Sequence, residues 1–151
     1  MDMKDRITRG FIAGIISGIV PFALNFGSYY INFTTARWSE FMGVLLFGSP
    51  PATIGKVIFA VIAVFIFLGF LGTIFALTVP LVSSRSYLLK GFMYGTAIWF
   101  ISFSATTFFQ IAELQAPPLK TAVTNFISAS LWGIMLGLTL NWVDDRLKQE
   151  V

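Results

Sequence analysis

The chain has 151 residues, of which 56% are hydrophobic and only 11% charged, with a net charge of +3 and a mean hydropathy of +0.82. Soluble domains carry about 25% charged residues, so this composition points to an integral membrane protein of one domain. With no cysteine and no histidine, disulfides, thiolate or imidazole metal sites, haem ligation through these residues and Cys/His nucleophilic catalysis are excluded.

Crossing the hydrocarbon of a bilayer takes about 20 helical residues, and four apolar stretches meet that length, at about residues 7–33, 57–82, 88–112 and 121–143. An all-α, four-span bundle is expected. In the first span Gly10, Gly14 and Gly18 stand four apart, ahead of Pro21 in the same run. Each interior glycine costs a soluble helix about 1 kcal/mol and a proline about 3 kcal/mol. In a membrane, neighbouring helices re-satisfy the freed backbone groups, and small residues at this spacing let two backbones approach closely. Pro21 removes a donor and crowds the Ser17 carbonyl. It predicts a kink, which either fits the packing or opens a small cavity. The run is too long for a signal peptide and no A-x-A site follows, so it is expected to be retained. Asn32-Phe33-Thr34 matches the glycosylation sequon, a chance match beside the membrane.

The first connection is the longest. Residues 36–48 place Trp38, Phe41, Met42, Leu45 and Leu46 near one helical face, with Arg37 and Glu40 toward the other, before Pro50 and Pro51. A short interfacial helix stopped by the prolines is expected, with Trp38 at headgroup level. It is either a connection packed on the bundle or a lid over a site on that face. The second span carries Gly69, Gly72 and Ala76, and the third opens with Gly91 and Gly95. The fourth repeats Thr121, Asn125, Ala129, Gly133, Gly137 and Asn141 every four residues. All four spans therefore present a small-residue face, whose partner lies either within the chain or in another subunit.

Orientation follows from the cations flanking the spans. Lys4, Arg6, Arg9, Arg85, Lys90, Arg146 and Lys148 share one side, against Arg37, Lys56 and Lys120 on the other. Seven against three places both termini in the cytoplasm, and the basic balance reads as topology rather than a nucleic-acid patch. Arg9-Gly10-Phe11-Ile12-Ala13-Gly14 and Lys90-Gly91-Phe92-Met93-Tyr94-Gly95 share one pattern, and Pro50-Pro51 is matched by Pro117-Pro118. Two tandem helical hairpins related by duplication would place a pseudo-twofold axis along the membrane normal.

Little of the sequence carries chemistry. Ser102, Thr106, Gln110 and Glu113 form a polar run on the outer half of the third span, with Asn25 and Ser28, and Asn125 and Ser128, at similar depth on the first and fourth. These groups either hydrogen-bond between helices or line an outward-facing vestibule with Lys56 and Lys120 near its rim. Asp144 and Asp145 read as a solvated tail. No ionisable residue stands near the middle of a span, so no proton or ion relay is visible. Phosphate-cradling, dinucleotide and zinc-protease motifs are absent. No catalytic residue, cofactor or metal site is expected. The functional expectation is a non-enzymatic protein that associates, through its helices, with itself or a membrane partner. The alternative is a small-solute channel or transporter subunit using the vestibule.

The segments GFIAGIISG, YYINFT, LKGFMYGTAIW and LWGIMLG, in that order, resemble the YqhR-like and YagU-like families of small four-span bacterial membrane proteins. The resemblance covers most of the chain and implies a multi-pass protein of the bacterial inner membrane. Neither family offers catalytic residues to transfer. The histidine that YagU-like proteins often place ahead of the corresponding helices is missing here.

Overall fold

The computed structural model describes residues 5–82, 86–114 and 117–149, with side chains as far as residue 146. Lys4 and Arg85, counted above for orientation, lie outside these residues, as does the side chain of Lys148. Among the described residues the chain is all-α. Helices α1 (Arg6–Tyr30), α2 (Trp38–Phe47), α3 (Ile54–Thr78), α4 (Tyr87–Phe108) and α5 (Leu119–Gln149) are joined by short connections that include two 3₁₀ turns, Val79–Leu81 and Ala112–Leu114. Three helical stretches, Arg6–Tyr30, Ile54–Leu81 and Leu119–Arg146, are long and apolar enough to cross a membrane. At 22 residues α4 is about 33 Å long. Lys90, its two glycines and five Ser/Thr residues dilute its apolar character.

The helix ends follow from local chemistry. Asp5 caps α1, accepting from the Thr8 amide at 3.0 Å and the Thr8 hydroxyl at 2.8 Å. The Thr8 hydroxyl, with the Thr8 amide, holds the Asp5 carboxyl below the usual carboxylate range. Thr53 and Ser86 cap α3 and α4 in the same way. Helix α1 runs unbroken through the fully buried Pro21 and stops at Tyr30, three residues before the expected end. Asn32 then takes a left-handed turn, φ 57°. Helix α2 is ended by Gly48 at φ 69° rather than by Pro50 and Pro51. The Pro51 ring instead packs on Gly43.

Two further expectations are corrected. Helix α4 stops at Phe108, not near residue 112, and Gln110 turns left-handed at φ 52°. Gln110 and Glu113 are therefore not on the helical stripe of Ser102 and Thr106. The C-terminal acids are also no loose tail. Helix α5 continues through them, Asp144 pairs with Arg9, and the Tyr87 hydroxyl donates to Asp144 at 2.9 Å.

Four long helices pack in the spatial order α3, α1, α5, α4. The small-residue faces make two of these three contacts. A Cβ on Gly10 would stand 2.7 Å from the Gly72 carbonyl oxygen, and one on Gly72 would stand 2.6 Å from the Gly14 Cα. A Cβ on Gly133 would meet Gly95 backbone at 2.8 Å, and Gly91 and Gly137 are met by α5 and α4 backbone in turn. Gly18 is covered by the Leu68 side chain. Thus α1 runs antiparallel to α3, and α4 to α5, each as a hairpin whose glycines bring the two backbones into contact. The hairpins join through α1 and α5. There the buried Trp132 donates its indole N–H to the Gly14 carbonyl at 3.1 Å, and Ser17 reaches Thr139 at 3.2 Å.

Candidate functional site

Helices α3 and α4 follow one another in sequence yet barely meet. Toward the end of the bundle that holds Arg9 and Asp144, they are pinned by the Tyr94 hydroxyl, which donates to the Leu71 carbonyl at 2.7 Å. The Phe75 and Tyr94 rings stand 5.0 Å apart there, and Lys90 Nζ donates to the Val79 carbonyl at 2.9 Å. Beyond Tyr94 the helices part, and a cavity of about 640 Å³ opens between them. That lies within the range of about 300–1,000 Å³ usual for small-molecule sites.

The walls of this cavity are apolar. Val64, Phe67, Leu68 and Leu71 of α3 face Ile98, Ile101 and Ala105 of α4, with Trp132 and Ala129 of α5 behind. Phe67 and Ile101, 45% and 63% exposed, form a rim on the outer surface of the bundle. Helix α2 forms the roof with Trp38, Phe41, Met42 and Leu45, helped by the turn at Ala112–Leu114 and by Pro117 and Pro118. Leu46, expected on the same face of α2, is exposed and outside the lining.

Polar groups gather at the roof. Asn25, with no exposed surface, donates its amide to Asn125 Oδ1 at 2.8 Å and accepts the Trp38 amide at 2.9 Å. Thr121 accepts the Thr35 amide and shares a hydroxyl contact with Thr35, both at 3.0 Å. Together they tie the start of α2 to α1 and α5. Arg37 forms two hydrogen bonds to Glu40 Oε1, at 2.9 and 3.2 Å, and its guanidinium lies 4.2 Å from the Tyr29 ring and 5.0 Å from Phe26. Such stacking suits a planar cation far better than an ammonium.

Of the six residues expected at a polar vestibule, Ser102, Thr106, Glu113 and Asn125 line this cavity. Asn25 sits behind its roof and Gln110 is exposed outside it. The polar atoms of Asn25 hold α5 through Asn125 and α2 through Trp38, a clasp above the chamber. Trp99 on the wall keeps its indole N–H buried without a partner, a cost of about 1–3 kcal/mol. Sequence reasoning missed the roles of Arg37 and Tyr94. Their only signals were a cation beside aromatics and a tyrosine inside an apolar run. No family model matches the chain, and no curated protein or solved structure does either.

Proposed function

We propose that the chain is a four-span membrane protein with cytoplasmic termini that binds the hydrocarbon part of an amphiphile in the α3–α4 cavity, without catalysis. The carrying observation is the cavity itself: apolar walls, a rim on the face that lipid would touch, and polar groups confined to one end. That is the polarity of a lipid entering sideways from the outer leaflet. Helix α4 counts as the fourth span because it lies antiparallel along α5 through Gly91, Gly95, Gly133 and Gly137 and is about 33 Å long. The resemblance to the YqhR-like and YagU-like families supports placing it in a bacterial inner membrane.

The glycine faces are occupied within the chain, so they offer no seam to another subunit. A small polar solute would find few free polar atoms.

The test is native mass spectrometry of the full chain extracted in mild detergent. One retained amphiphile per chain is expected for the wild type. Ala105→Trp, which fills the chamber from α4, should reduce that retention at least fivefold with helical content unchanged. A wild-type chain that emerges bare, or retention untouched by Ala105→Trp, would overturn the proposal.

A further inference from the structure

A second cavity, of about 250 Å³, lies at the other end of the bundle, where α1 and α4 begin and α3 and α5 end. Its chemistry is the opposite of the first. Arg6, Arg9, Lys90, Tyr87 and Asp144 line it, over a small apolar floor that includes Leu140. Three cations face one carboxylate, and that carboxylate is already engaged. Asp144 pairs with Arg9 and accepts the Tyr87 hydroxyl at 2.9 Å. Among the described residues, no second carboxylate lines the cavity to balance Arg6 and Lys90.

The donors are also incompletely used. Arg9 Nε is buried with no hydrogen-bond partner among the described residues. Lys90 Nζ gives one hydrogen bond, to the Val79 carbonyl at 2.9 Å, and an ammonium has three donors. The Tyr87–Asp144–Arg9 chain fixes the Arg9 side chain, which is 11% exposed, so its position is built rather than chosen by solvent.

In the membrane orientation proposed above, this level is the cytoplasmic headgroup region. Basic pockets between spanning helices on that side attract phosphate-bearing headgroups. We infer that the Arg6–Arg9–Lys90 cavity binds a phosphate group, carried by an anionic lipid of the cytoplasmic leaflet or by a soluble phosphate ester. The inference rests on the membrane reading but not on the apolar ligand of the first cavity.

The full chain is placed in bilayers of equal parts phosphatidylcholine and phosphatidylglycerol, and the lipids it keeps on release are counted by native mass spectrometry. Wild type should keep phosphatidylglycerol in excess. The double variant Arg6→Gln/Lys90→Gln should lose that preference on the order of 20-fold, at about fivefold per cation. Lys120→Gln, at the opposite end, should not change it. Lys90→Gln alone carries the same reading if the double variant loses its helical signal. Inorganic phosphate added at millimolar concentration separates the sources: displacement of the bound lipid assigns a site open to soluble esters, and no displacement assigns the lipid headgroup. Equal retention of both lipids with no effect of phosphate overturns the site, as does a preference that survives both variants. Failure of the chain to enter a bilayer at all would instead overturn the membrane reading.

Discussion

Asn25 shows how one polar side chain in an apolar helix can organise three elements. Its amide nitrogen serves α5 through Asn125, and its carbonyl oxygen holds the first amide of α2 through Trp38. Asn25→Leu keeps the volume and removes both bonds, leaving the Trp38 N–H and the Asn125 carbonyl without these partners. An unpaired buried group costs about 1–3 kcal/mol, so a fall in stability of about 2 kcal/mol or more is expected in a reversible unfolding assay. Asn125→Leu should give a smaller loss, because the Trp38 bond survives. Sequence made Asn25 and Asn125 visible as polar residues at similar depth. It did not show that they face each other, because side-chain pairing depends on the rotation of both helices. Glu113 reached the cavity by another route than the one expected. The helical spacing from Ser102 fails once α4 ends at Phe108, and the turn after Ile111 returns Glu113 to the lining.

At the scale of helices, the glycine spacing was legible because it is a pure steric code. A glycine every fourth residue leaves a groove that only another backbone fills. The two hairpins use the code alike. A Cβ on Gly72 would strike the Gly10 carbonyl oxygen and the Gly14 Cα and N, and one on Gly133 would strike the same three atoms of Gly91 and Gly95. These pairs match the Arg9–Gly14 and Lys90–Gly95 pattern position for position, which strengthens the case for duplication. Gly133→Leu and Gly14→Leu should each destabilise the chain by more than about 3 kcal/mol, because overpacking here strikes backbone that cannot rotate away. Gly27→Leu, with nothing within 4 Å of its Cβ, should stay near wild type. Thermal unfolding in detergent separates the two classes, and similar behaviour of Gly133→Leu and Gly27→Leu would sink the packing argument. Helix ends were less legible. Asn32, Gly48 and Gln110 set them through left-handed turns, and only the glycine of the three carries a strong sequence signal.

Across the whole molecule, charge is arranged by height: Arg37 and Glu40 sit beside the apolar chamber, and Arg6, Arg9 and Lys90 at the far end. Composition foretold the membrane class. It could not foretell the chamber, because a void is a contact that is not made. If α1 corresponds to α4 and α3 to α5, then the α1–α5 contact sealed by Trp132 has its counterpart between α3 and α4. There Leu71 takes the place of the tryptophan, and the seam stands open. Within each hairpin the glycines set backbone against backbone, so each hairpin is a stiff plate. Motion is left to the line between the plates. The molecule is then a clamp whose jaw width is set near one hydroxyl, that of Tyr94, and whose stroke lies wholly between α3 and α4. Spin labels at positions 66 and 100 should report a broad spread of distances that narrows when the chamber fills, whereas labels at positions 19 and 62 should report one narrow distance throughout. Tyr94→Phe should widen the first spread and leave the second alone, because it removes the hydroxyl that ties α4 to the Leu71 carbonyl.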